Sequence, residues 1–248
     1  MATEGLEFAN VSFTLPGGRS LLTDVSIQVG AGTTTALLGR SGSGKTTLLR
    51  MVNALVRPTS GRVSVGGRDV GDVDEIELRR GIGYVIQETG LFPHMRVERN
   101  VGMALELRGA VKAEIAAKAA ETMSLVGLDG GMLGRFPWEL SGGQRQRVGV
   151  ARALANDPGV LLMDEPFGAL DPLTRAEMQT MLRELLRRVG KTTLIVTHDL
   201  DEALYLADRV VLLEAGRVVA DLKASEVRAS EIAEVRAYVA ATHRESAA

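Results

Sequence analysis

The sequence predicts an α/β domain built on a parallel sheet, with a helical lobe inserted midway. Three observations carry this. Residues 36–38 form an apolar run that enters a glycine-rich loop and then a helical stretch, the order expected of a strand feeding a helix. A second apolar run, 160–163, leads to a long helical pattern at 173–189 and a further strand pattern at 193–196, so strand and helix alternate as in parallel sheets. Between residues 89 and 150 the composition turns to Ala, Leu, Met, Glu and Lys, which favours helix.

Taken in order, Val25, Ile27 and Val29 alternate with polar residues like a half-buried strand. A helix is predicted over 45–55, ending before Arg57-Pro58-Thr59-Ser60-Gly61, whose proline and glycine turn the chain into a strand at 62–65. Helices are predicted at 97–107 and 112–126 in the lobe, after His198, and as an amphipathic stretch at 230–241. The domains expected are a core of 1–88 and 151–222, a lobe of 89–150 and a tail of 223–248.

Composition narrows the functions. With 29 basic against 31 acidic residues the formal charge is -2, so there is no global positive field for nucleic acid. The absence of cysteine excludes disulfides and thiolate metal sites. Met1-Ala2-Thr3-Glu4-Gly5 has neither the basic nor the apolar segment of a secretory signal, which points to the cytoplasm. Apolar runs such as 160–163 and 210–213 fall far short of the ~18 residues of a membrane helix, so any membrane role is borrowed from a partner.

Gly39-Arg40-Ser41-Gly42-Ser43-Gly44-Lys45-Thr46 satisfies the P-loop pattern, between a buried strand and a helix. Glycines let backbone N–H groups curl toward nucleotide phosphates at a helix N-terminus, Lys45 adds positive charge, and the Thr46 hydroxyl can ligate Mg²⁺. A turn that merely joined strand to helix would not need Lys and Thr there. Asp164 and Glu165 follow the apolar run 160–163, at a strand end where ligands gather in such sheets. Asp164 is expected to hold Mg²⁺ through water and Glu165 to polarise the attacking water; the bland alternative is a solvated acidic pair.

Leu140-Ser141-Gly142-Gly143-Gln144, followed by Arg145-Gln146-Arg147, resembles the signature motif of ABC ATPases, and the likeness extends from about Leu6 to Asp221. A serine that caps an ordinary helix is the simpler reading of Ser141 alone. The resemblance implies a P-loop NTPase of the ABC cassette type: a RecA-like parallel core, an N-terminal antiparallel β subdomain and an inserted helical lobe. It implies an ATPase using ATP and Mg²⁺, in which Gly39 to Gly44, Lys45, Thr46 and Thr47 contact the nucleotide. It assigns Ser141, Gly142, Gly143 and Gln144 to the nucleotide of a second copy, so that two ATP molecules are sandwiched in a dimer. Glu165, His198, Gln87 and Lys45 become the catalytic set, and Thr46, Gln87 and Asp164 the metal set. Ala169-Leu170-Asp171 becomes the loop exchanged across the dimer.

Within that family, Arg50-Met51-Val52-Asn53, Ile82-Gly83-Tyr84-Val85-Ile86-Gln87, Gly90-Leu91-Phe92-Pro93-His94-Met95 and Pro166-Phe167-Gly168 are similar to the glycine betaine, choline and proline type of osmoprotectant importer. This implies permease subunits as partners, a substrate-binding protein indirectly, and a place on the cytoplasmic face of the membrane; the alternatives are the ATPase of another ABC importer, for an amino acid, polyamine, metal or oxyanion, and a soluble ABC protein without a permease. Phe92 and His94 either help line the groove for a permease helix or pack the lobe. Only a short tail follows Asp221, where many osmoprotectant ATPases carry a regulatory module, which argues against built-in osmotic gating. The aromatic residue with which such cassettes stack on adenine is replaced at the matching place by Leu15, and Phe13 is expected to pack in the core.

Overall fold

The computed structural model describes residues 4–168 and 170–245. Met1, Ala2 and Thr3, Ala169 of the loop expected to be exchanged across a dimer, and residues 246–248 of the predicted tail lie outside the described residues. The strands are β1 (Leu6–Thr14), β2 (Ser20–Val29), β3 (Thr34–Leu38), β4 (Ser60–Val65), β5 (Arg68–Asp69), β6 (Ile82–Val85), β7 (Val160–Asp164), β8 (Thr192–Thr197), β9 (Arg209–Glu214) and β10 (Arg217–Lys223). The helices are α1 (Lys45–Val52), α2 (Glu75–Arg80), α3 (Val97–Leu107), α4 (Lys112–Leu125), α5 (Gly142–Leu154), α6 (Pro172–Val189), α7 (Leu200–Leu206) and α8 (Ala233–Glu245).

Two sheets form. An antiparallel sheet runs β2-β1-β4-β5, and its strands alternate because one face covers the core that Phe8, Val11, Leu22 and Val63 share with α1. The second sheet runs β10-β9-β3-β8-β7-β6, parallel except for the β9–β10 hairpin. Every residue of β3, β7 and β8 is buried, threonines included, as strands covered on both faces require.

Register positions the site. Leu38 lies beside Thr197, Asp164 beside Val196, and Val85 beside Met163. The carboxyl ends of β3, β8, β7 and β6 therefore finish at one edge, and the loops that begin at Gly39, Glu165, His198 and Ile86 leave from it together.

Several boundaries differ from the sequence reading. The first helix stops at Val52 because Asn53 ends it and Ala54 turns to φ 55°, where its N–H bonds to Met51 O. The last helix begins at Ala233, within the predicted amphipathic stretch 230–241, and runs on to Glu245; a 3₁₀ turn over Ala224–Ala229 precedes it. Among the described residues no helix is long and apolar enough to cross a membrane.

Candidate functional site

The loop after β3 turns through glycines whose conformations no other residue reaches cheaply. At Gly44, φ is 99° and a Cβ would lie 2.4 Å from Leu22 Cδ2; at Gly39, a Cβ would lie 2.3 Å from Leu213 O. The loop is thus pressed onto β2 and β9 while its N–H groups open outward at the start of α1. Lys45 is buried, and its Nζ donates to Gly39 O at 2.7 Å and Arg40 O at 2.9 Å. Burial pulls this ammonium below the ordinary lysine value, with the charges of Glu165 and Asp164 opposing the shift. Ser43 Oγ is buried in the same loop with no hydrogen-bond partner.

On the facing strand, Asp164 is 1% exposed and gathers two hydrogen-bond donors and one cation. Thr46 Oγ1 donates to Oδ1 at 2.8 Å, Tyr84 Oη to Oδ2 at 3.4 Å, and the Arg50 guanidinium lies 3.8 Å from Oδ2. Glu165 continues the ladder, its N–H donating to Val196 O at 3.0 Å, but its φ of 45° is strained for a residue with a Cβ. That twist aims the carboxylate off the strand. Gln87 Nε2 stands 3.5 Å from Glu165 Oε2, and His198 Nδ1 3.5 Å from Oε1. One cleft is lined by Arg40, Ser41, Glu165, Arg175, His198 and Asp199.

These residues fit a magnesium nucleotide. The P-loop holds an orphaned hydroxyl and a charged lysine bonded only to its own loop's carbonyls among the contacts above. Thr46 and Asp164 offer one hydroxyl and one carboxylate, the sparse protein share that Mg²⁺ takes when phosphates and water complete its octahedron. Among the described residues no cluster of three His, Cys, Asp or Glu could hold a metal by itself.

Ser141 and Gln144 sit apart from that cleft. Ser141 caps α5, with Gln144 N donating to Ser141 Oγ at 3.2 Å and Ser141 N to Gln144 Oε1 at 2.9 Å. Gly142 and Gly143 rest against Leu170 and Thr174, on the approach to α6. As first residues of the helix their N–H groups have no intrahelical acceptor, so Ser141 is a structural cap and the start of an anion-receptive helix end together. Leu15 lies in the tight turn after β1, half-buried, with its N–H on Arg19 O. Phe13 packs against the core that the antiparallel sheet shares with α1.

Residues 22–168 match the ABC transporter family. The chain belongs to that family. Over 214 residues this ABC chain is 45% identical to the choline transport ATP-binding protein OpuBA of Bacillus subtilis (strain 168), covering 86% of itself and 56% of that protein. Over 202 residues it is 49% identical to the sulfate/thiosulfate import ATP-binding protein CysA of Nocardia farcinica (strain IFM 10152), covering 82% of itself and 60% of CysA. The chain thus spans little more than half the length of these curated relatives. Among solved structures it resembles the dimeric ATP-binding cassette MJ0796 in a post-hydrolysis state bound to ADP and Pi, with TM-score 0.78 and 34% identity over 88% of this chain and 98% of that one.

Three features of this ABC chain were not signalled by its motifs. Arg152 of α5 reaches back to the turn after Gln87, donating to Gly90 O at 2.7 Å and Thr89 O at 2.8 Å, and so braces three successive left-handed residues, Glu88, Thr89 and Gly90. Asn100, fully buried, ties the next loop through Phe92 N, Phe92 O and Met95 O. Phe92 and His94 are consequently exposed as an edge-to-face pair rather than packed into the lobe. The third feature is α8, which flanks the cleft through Tyr238, Ala241 and Thr242.

Proposed function

We propose that this chain is the ATP-hydrolysing subunit of an ABC importer and works as a dimer, each ATP lying between the P-loop of one copy and the Ser141 motif of the other. The observation that carries the reading is the single sheet edge at which Lys45, the Thr46–Asp164 pair and the Glu165 carboxylate between Gln87 and His198 meet. Gly39 to Thr47 hold the phosphates through backbone N–H groups and Lys45, and Leu15 offers contact area to the base. Thr46, Asp164 and Gln87 would hold Mg²⁺, which when bound neutralises charge on the phosphate oxygens. Glu165 orients and polarises the attacking water, and His198 steadies the same region from the other side. On this reading residues 1–88 and 151–222 are the core and 89–150 the lobe, with α5 running through that boundary and binding the two together.

The solute proposed is a quaternary-amine osmoprotectant of the glycine betaine, choline or proline type, taken up through permease subunits that dock near Phe92 and His94 on the cytoplasmic face, with a substrate-binding protein delivering it. The similarity to a sulfate/thiosulfate import subunit favours a second reading, an importer of an oxyanion. Labelled choline and sulfate uptake, with and without this chain, separates the two. For the ATPase itself, Glu165→Gln abolishes turnover while retaining ATP, so that the chain elutes as a dimer at saturating ATP. A variant that stays monomeric there and gives no dimer on crosslinking refutes the sandwich.

A further inference from the structure

The geometry points to Tyr238, on the C-terminal helix, as a positioning residue for hydrolysis that holds the main chain of His198; this rests on the ATPase reading above. Helix α8 is docked rather than trailing. Val235 is buried, and Tyr238 and Val239, three and four residues on, pack from the same face onto Leu38, Leu200, Ala203 and Leu212, the apolar layer over β3, β9 and α7. That face leaves the Tyr238 ring on the core and its hydroxyl at the rim of the cleft. The hydroxyl donates to His198 O at 2.6 Å, across 40 positions of sequence.

His198 needs such a hold. Its side chain is 62% exposed, and its nearest charged neighbour, Glu165 Oε1, lies at 3.5 Å, too far for a strong hydrogen bond. The residue sits where β8 has ended at Thr197 and α7 has not begun, so neither ladder nor helix fixes its carbonyl. On one side the chain is secured, because Asp199 N donates to Thr197 Oγ1 at 3.0 Å. Tyr238 secures the other. With both grips in place the peptide plane of His198 is set, and with it the direction in which the imidazole leaves the backbone toward Glu165. Tyr238 itself touches no reacting atom in this scheme. It acts through His198.

Tyr238→Phe keeps the ring on the apolar layer and removes only the donor, so the fold is retained. Losing one neutral hydrogen bond of this kind is expected to lower kcat about three- to tenfold with the KM for ATP within about twofold, because the ground-state grip on the phosphates belongs to the P-loop. A role through His198 requires more. In a His198→Ala background, Tyr238→Phe adds no further loss, whereas a general structural role multiplies the two defects. A readout independent of turnover is the imidazole NMR spectrum, in which the chain offers three histidines. The His198 signal shifts or broadens in Tyr238→Phe while that of His94, on the lobe, is unmoved; this decides the matter if the His198→Ala background is too slow to assay. An unchanged kcat with an unmoved His198 signal, or a proportional loss in the His198→Ala background, overturns the inference. An unmodified chain that hydrolyses no ATP overturns the reading beneath it.

Discussion

Thr197→Val isolates a buried polar knot directly under the candidate catalytic histidine. Thr197 is 2% exposed and Glu202 7% exposed. The Thr197 hydroxyl donates to Glu202 Oε2 at 2.6 Å and accepts from Asp199 N at 3.0 Å, while Gln179 Nε2 serves the other carboxylate oxygen at 3.3 Å. Valine fills the same volume but makes neither bond. A hydrogen bond to a charged group is worth about 1.5–3 kcal/mol and an abandoned backbone donor about 1 kcal/mol, so the loss is about 2.5–4 kcal/mol. For a chain of this size each kcal/mol moves the thermal midpoint by about 2–4 °C, which gives a fall of about 5–15 °C.

The loss depends on pH in a definite direction. Burial holds the Glu202 carboxyl above its ordinary value of 4.5, and the Thr197 hydrogen bond opposes that shift. An acid whose folded pKa is raised costs stability as pH climbs past its unfolded value, because the unfolded chain gives up its proton first. Removing the hydroxyl raises the folded pKa further, so the deficit of the variant widens only once pH passes the wild-type folded pKa, itself above 4.5, and below that it narrows toward the Asp199 contribution. Thermal melts of both proteins at about pH 4.5 and about pH 7.5 measure this. A deficit equal at the two values refutes an ionised Glu202 held by Thr197, and one under about 1 kcal/mol at neutral pH refutes the hydrogen bond itself.

Two further predictions concern the composite site and the base. Lys45→Ala loses ATP binding, whereas Ser141→Arg keeps binding and loses hydrolysis; mixing the two inactive chains restores partial turnover, since one pairing of P-loop and Ser141 motif is intact, and a mixture that stays dead refutes the shared site. Because Leu15 offers no aromatic face, GTP is expected to bind within about tenfold of ATP, a difference of ~1.4 kcal/mol, and Leu15→Tyr to tighten ATP by a similar factor with turnover per bound ATP unchanged. Titration with fluorescent ATP and GTP analogues checks this, and a strong ATP preference that Phe13→Ala destroys would place the stacking residue at Phe13.

What could be read in the sequence and what could not divide along a physical line. The loop at Gly39 to Thr46 was legible because its chemistry is local: the glycines, the lysine and the hydroxyl must be neighbours in sequence to be neighbours in space. Asp164 and Glu165 were legible because an acid directly after a fully apolar strand needs a reason, and the register beside Val196 places both at the edge where the P-loop starts. The grips on those residues come from elsewhere in the chain. Arg152 looks like one more polar residue of α5, yet its guanidinium is desolvated against Thr89 and Gly90, enough to pull its pKa below the ordinary arginine value. Tyr238 belongs to an amphipathic stretch whose period announces a buried face but not what that face lies on. Gly90 and its two left-handed predecessors follow the same rule, since the strain at Glu88 and Thr89 is tolerated only where a distant side chain braces it. Motif residues are therefore the part of this site that short-range geometry dictates, while the residues that aim them are set by packing. Variation in those aiming residues is the route by which two chains with identical motifs can differ in rate.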